Sequence, residues 1–521
     1  MSNAETSPGE DHRARAITKL HQELSKDIGA AVNVAKTCGL WEILWFCYLL
    51  RIGRVLRVDP EYAANLSHAE LMEMQLRDDA LKYSLALASK NGDWRHHASA
   101  INSFENFDNG RVNLLERVTR HINAKFDIEA LLNMAEVRVS GCRDQNCEID
   151  IAAGFKNPLR TMYFEFGFRI EQSTMQMKSD LRSPEELIER LRRDYGDVGD
   201  LFESDSGISL DAYCDGMLDL QKMLRIKGEA QGGMAAFRTN GRIDVNAGQT
   251  FIAIARGFHF THSELASSLS SEFVSYMKRN PFDEEKFSDS ELRFHYLTRR
   301  PFLMGEGFFI LSPELIFDSL LDNIHFTLLE SDAAKNEYKK RRAAQFVDEI
   351  ASAAIPAGYS EVARDIDLMK GKQKLGDIDL VLKNASTGHT LFVEAKNHAL
   401  PLPVYFKDPQ ALDAHIASTR EWEKKVMRRI EHLRSDSPSY SVPGGWDYLV
   451  VSRMPEPLSH ATALLVLSVY EFSNWVTQTP RPSSFRDFYQ AFYKPNDTNM
   501  SRDEMQHLFD EGFSLARLTQ D

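Results

Sequence analysis

Cysteine is nearly absent: five in 521 residues, too few and too scattered for a disulfide framework, which excludes the small cross-linked secreted folds. Cys142 and Cys147, in GCRDQNC, resemble half of a zinc site, but no second Cys or His pair stands at ligand spacing to complete it. They read as buried or incidental thiols. Long apolar runs are missing as well. The longest, Ile43 to Leu50 and Pro457 to Tyr470, fall short of the roughly 20 residues of a membrane span. Met1 to Lys19 is polar, with early acids, and lacks the basic start and apolar middle of a secretory signal. The expectation is a cytoplasmic protein without a membrane partner. No GxxxxGK[ST] segment occurs, which excludes a nucleotide-hydrolysing motor of the P-loop type. Positive charge is scarce too, since the chain carries −14 overall. Its distribution is uneven: Ser331 to Arg434 holds 18 Lys and Arg against 15 Asp and Glu, leaving that segment at +3 and the remainder at −17.

A chain this long exceeds one ordinary hydrophobic core, so several packed units are expected. Residues 1–105 read as a helical region, with apolar residues at three and four spacing in AITKLHQELSKDIGAAVNVA and HAELMEMQLRDDALKYSLALA. Residues 106–331 read as mixed α+β of unknown role. There CEIDIAA, RTMYFEFGFRI and GQTFIAIARGFHF read as strands, SPEELIERLRR as a helix capped by Ser183, and FLMGEGFFIL as a hairpin. The glycine-rich stretch Gly228 to Gly248 reads as loop. Residues 332–479 form the last α/β domain, and 480–521 a helical tail.

The informative segment is GDIDLVLKNASTGHTLFVEAKN, Gly376 to Asn397, which reads as two strands joined by a turn at Asn384 to Gly388. Side chains alternate faces along a strand, so Glu394 and Lys396 share one face, opposite Leu391, Val393 and Ala395. A paired first strand brings Asp379 to the same side. Two carboxylates and a lysine at one sheet edge suit metal-assisted phosphodiester hydrolysis. Mg²⁺ takes oxygen ligands, here Asp379, Glu394 and the backbone carbonyl of Ala395, and would activate water and polarise the phosphate. Lys396 either accepts the proton of the attacking water or stabilises the charged transition state.

GDIDLVL followed by LFVEAKN resembles the PD-(D/E)xK, or restriction-endonuclease-like, nuclease superfamily. The resemblance covers residues 331 to 479. The acidic position of that family resembles Asp379, and its ExK resembles Glu394, Ala395 and Lys396. Ile378 stands where many members have Pro, and Asp377 is an extra acid. An acid on the preceding helix, in QFVDEIASAA, is Glu349, with Asp348 as the second choice. The expected order is a helix at Arg342 to Ala354, a strand at Tyr359 to Leu368, the Asp377 to Lys396 hairpin, the basic helix STREWEKKVMRRIEHLRS and the strand WDYLVVSR. The resemblance implies a mixed sheet flanked by helices and Mg²⁺-dependent cleavage, with Mn²⁺ as a substitute. It implies DNA as the partner, endonuclease rather than exonuclease action and, by analogy, a part in bacterial defence against foreign DNA. The rival reading is a non-catalytic module of the same fold that binds nucleic acid or protein. Strand specificity and any homo-oligomer stay open.

Three further signals are weaker. Lys424, Lys425, Arg428 and Arg429, with Arg434, are candidates to track a phosphate backbone from one helix face, although Glu421, Glu423 and Glu431 dilute that face. Asp150 and Glu165 echo the separation of Asp379 and Glu394, but Gly167 stands where the lysine would be, which favours coincidence. His259 and His262 in GFHFTH read as packed or surface histidines without a role.

Overall fold

The computed structural model describes residues 8–58, 68–96, 101–102, 107–134, 137–143, 146–151, 165–170, 172–173, 183–230, 247–398 and 400–493. The chain forms two compact units, both discontinuous in sequence. One comprises residues 19–125 and 181–338; the other comprises 1–18, 126–180 and 339–521. The four consecutive segments expected from the sequence therefore group differently, although the expected boundary at 332 falls close to the junction at Lys339. Among the described residues no helix is long and apolar enough to cross a membrane.

A hairpin of β1 (Val137–Arg143) and β2 (Asn146–Ile151) belongs to the second of these units, and Cys142 stands opposite Cys147 across it. The first unit is mainly helical, with a small sheet of β3 (His259–Thr261), β4 (Leu303–Gly305) and β5 (Phe308–Ile310) in the order β3-β5-β4. The expected hairpin is β4 and β5, turning at Gly307 with φ 80°. The helix Pro184–Tyr195 starts as expected: Ser183 accepts a hydrogen bond from the Glu186 amide, and Pro184 fills the first turn. His259 is a packed residue, stacked on Phe308 at 4.7 Å, and burial lowers its pKa to about 4. Cys38, Cys47 and Cys214 are buried thiols.

Two strand expectations are corrected. Most of GQTFIAIARGFHF is the helix Ala247–Arg256, and only His259 to Thr261 is strand. Its buried Phe251, Ile254, Ala255 and Phe258 fall at helical spacing. In RTMYFEFGFRI, residues 165–170 are helical, with Phe166, Arg169 and Ile170 buried, and the residues before 165 lie outside the described set. Glu165 is thus on a helix, paired with His460 and Arg486, and the echo of the Asp379 hairpin is coincidence. Residues 231–246 of the glycine-rich stretch lie outside the described residues; its ends belong to helices.

The C-terminal sheet has β6 (Tyr359–Lys370), β7 (Gln373–Asn384), β8 (Thr390–Lys396), β9 (Trp446–Ser452) and β10 (Leu465–Ser468), in the order β10-β9-β8-β7-β6. Pairing is antiparallel from β6 through β8 and parallel from β8 to β10, so the sheet is mixed. Helices α1 (Lys335–Ala354), α2 (Pro409–Leu433), α3 (Val469–Trp475) and α4 (Phe485–Tyr493) accompany it, with a single helical turn at Leu402–Tyr405. Leu380, Leu382, Leu391, Val393, Leu449 and Val451 share a core with Phe346 and Ile350 of α1, Phe472 of α3 and Phe488 of α4. Val381, Phe392, Tyr448, Val450 and Val466 share another with Val426, Ile430 and Leu433 of α2. A sheet covered on both faces accounts for the near-continuous apolar runs LFV and YLVV. The domain does not end at Thr479, since Phe485, Phe488 and Tyr489 of the expected tail enter the first core. Residues 494–521 lie outside the described set.

Candidate active site

The hairpin β7–β8 is locked by its turn. The Asn384 side-chain oxygen accepts hydrogen bonds from the amides of Ser386 and Thr387, and Gly388 takes φ 70°. The register sets Leu380 opposite Val393, which brings Asp379 alongside Ala395: the Ala395 amide donates to Asp379 Oδ2 at 2.6 Å. Lys396 Nζ lies 2.7 Å from Glu394 Oε1. Asp379, Glu394 and Lys396, singled out from the sequence, therefore meet at one end of the hairpin.

The adjoining strand adds acids. β6 contains DID at Asp365 to Asp367, and β7 contains DID at Asp377 to Asp379. In the antiparallel ladder Asp367 stands opposite Asp377, and Asp365 falls between the pairs Arg364–Leu380 and Ile366–Ile378, across from Asp379. Like charges directly opposite each other weaken a sheet. Asp365 also holds a left-handed φ of 51°, a conformation that costs a non-glycine residue about 1–2 kcal/mol. One carboxylate oxygen each from Asp365, Asp377 and Asp379 lie within 4.8 Å of one another. Asp367 is set apart by an ion pair with Lys374 at 2.6 Å. Burial, and after it the charge of Glu394, push the Asp379 carboxyl up to about 6.

Glu394 has a different environment. It is 5% exposed, and its second oxygen is taken by Arg429 Nη1. Tyr448 Oη stands 3.4 Å from the same oxygen. Arg429 Nη2 also reaches Asp377 at 3.9 Å. Burial works against the guanidinium charge, but Glu394 and Tyr448 together more than offset it and the Arg429 pKa is raised. Gly376 makes room for this arginine, because a Cβ there would collide with the guanidinium.

Three expectations change. Arg429 is not on the exposed phosphate-tracking face: it is 5% exposed and shares the inner stripe of α2 with Val426, Ile430 and Leu433. Lys424, Lys425 and Arg428 are exposed, with Lys424 paired to Glu421 at 2.5 Å. Glu349 is bound to Arg453 at 2.6 Å and Asp348 to Arg364 at 2.6 Å, so neither helix acid belongs to the acidic group. The additional carboxylates come from strand residues Asp365 and Asp377 instead. Glu394 was expected as a metal ligand, but among the described residues no group of three donors includes it. The repeated DID on two adjacent strands was the signal for Asp365; the stripe at 426, 429, 430 and 433 was the signal for Arg429. Comparison with protein-family models, with curated proteins and with solved structures finds no match.

Proposed function

We propose that the sheet unit is a metal-dependent nuclease of the PD-(D/E)xK type, hydrolysing phosphodiester bonds in DNA. One observation carries this reading: three carboxylates from β6 and β7 converge beside a Glu394–Lys396 ion pair. The donor set is oxygen only, which suits a hard cation such as Mg²⁺ or Mn²⁺. Asp365, Asp377 and Asp379 would hold it. When bound, the ion supplies charge neutralisation and polarises the phosphate. Lys396 presents its ammonium group at the same end and offers positive charge to the oxygens of the reacting phosphate. Glu394, gripped by Arg429, is a positioning residue that holds Lys396 there. Lys424, Lys425 and Arg428 offer an exposed cationic surface for the nucleic-acid backbone. A place in defence against foreign DNA accords with this activity.

The test is incubation of the full chain with supercoiled plasmid, linear duplex, single-stranded DNA and RNA, in Mg²⁺, Mn²⁺ or EDTA, beside Asp379→Ala and Lys396→Ala. The expected result is metal-dependent DNA cleavage, lost in Asp379→Ala and slowed about 10²–10³-fold in Lys396→Ala. Binding of nucleic acid with no cleavage in any metal would replace the enzyme by a non-catalytic module.

A further inference from the structure

A second constellation lies two residues past Lys396. His398 follows the end of β8, His415 is on α2, and Glu456 follows β9. His398 Nε2 is 2.8 Å from Glu456 Oε1, and His415 Nε2 is 2.8 Å from Glu456 Oε2. One donor atom from each residue lies within 4.8 Å of the others. With metal–ligand lengths of about 2.0–2.2 Å, two donors on one ion stand at most about 4.4 Å apart, so small side-chain rotations close the set.

A carboxylate that merely hydrogen-bonds two imidazoles accounts for His415, whose Nε2 bonds Oε2. It does not account for His398. That Nε2 is buried and contacts Oε1 at 2.8 Å, yet lies out of hydrogen-bond alignment. Glu456 itself is 1% exposed, and its backbone carbonyl accepts from Arg169 at 3.0 Å, which fixes the residue from behind. The Trp422 ring stands 5.0 Å from the His398 ring and covers one side.

We infer that His398, His415 and Glu456 form a transition-metal site, separate from the acidic group at Asp365, Asp377 and Asp379. Two imidazoles and one carboxylate select an ion such as Zn²⁺ or Fe²⁺ over Mg²⁺. Three protein ligands leave at least one position open. The ion ties the end of β8 to α2 and to the segment after β9, and so steadies the strand end that carries Lys396. This inference stands independently of the nuclease reading.

The test uses the full chain, stripped with EDTA and then offered Zn²⁺, Fe²⁺ or Mn²⁺ in millimolar Mg²⁺, with metal content, calorimetric affinity and the visible spectrum of a Co²⁺-loaded sample as readouts. One equivalent of a transition ion is expected. Its affinity should fall by more than the roughly 10–100-fold that loss of an outer-shell partner costs, in both His398→Ala and His415→Ala. Asp379→Asn should bind it unchanged. Circular dichroism checks folding; if His415→Ala does not fold, His398→Ala, at a partly exposed position, decides. No retained ion in the unaltered protein, or retention that folded His398→Ala leaves intact, would overturn the site.

Discussion

Two charged clusters in the same unit are built on opposite terms. Around Arg169 every group is answered. Its guanidinium meets both oxygens of Glu471, at 2.6 and 2.9 Å, as well as the Glu456 carbonyl and the Ser459 hydroxyl, and it lies 4.4 Å from the Phe485 ring centre. Glu471 also accepts from the Ser468 amide and the Tyr493 hydroxyl. Burial would raise the Glu471 pKa, but Arg169 outweighs it and the carboxyl is held below its usual range. Midway along β6 and β7 the balance is reversed. Asp365 has no ion-pair partner among the described residues, Asp379 is pushed upward, and carboxylates face one another across a ladder. A saturated network is what a fold uses to hold itself together. A cluster left with surplus negative charge is destabilising in isolation, and a cation relieves it.

The contrast can be broken in four ways. The largest effect is expected at the saturated network. Glu471→Gln, which strands a buried arginine, should destabilise the unit by about 3–5 kcal/mol in a denaturant titration. A loss below 1 kcal/mol would mean that the network is not the anchor described.

Cation binding should come next. At about a hundredfold excess over its dissociation constant, Mg²⁺ should stabilise the unaltered protein by about 2–3 kcal/mol. Asp379→Asn should cancel most of that gain, read as a thermal shift.

The third effect has the opposite sign to the first. Because the Asp379 pKa is higher folded (about 6) than unfolded (3.8), its contribution is fully favourable below pH 3.8 and is lost as pH rises through 6. Without metal, Asp379→Asn should therefore stabilise the protein above pH 6 by about 1–3 kcal/mol, and the advantage should vanish below pH 3.8. Stability curves for the two proteins across that range check the sign.

The smallest effect concerns α2. Lys425→Ala and Arg428→Ala should change stability by less than about 0.5 kcal/mol. Each should lower the salt dependence of DNA binding by roughly one phosphate contact. Unchanged salt slopes would remove that face from the interface.

The β7–β8 hairpin was legible because its pattern is local: alternation, a turn residue and a short spacing specify β7, β8 and the meeting of Asp379, Glu394 and Lys396. The order of α1, β6, α2 and β9 was expected from the resemblance to the PD-(D/E)xK superfamily rather than from hydrophobic period alone. Where apolar residues support both periods, as in FIAIARGF, the choice between helix and strand depends on what the segment packs against, and packing is non-local. The partner of Glu394 was hidden because charged residues on a helix are ordinarily solvated, and only the inner stripe of α2 distinguishes Arg429 from Arg428. Nor could spacing disclose His398, His415 and Glu456, which come from three separate elements joined only by the tertiary fold. Arg169 and Glu471 are further apart still in the chain.

The most direct measurement is the rate of duplex DNA cleavage in Mg²⁺ at pH 8 by the unaltered protein and by Asp379→Asn, with the stability of each measured on the same sample. The account predicts a variant that is more stable without metal and yet no longer cuts. Equal cleavage by both proteins, or no cleavage of any nucleic acid by the unaltered chain, would contradict it.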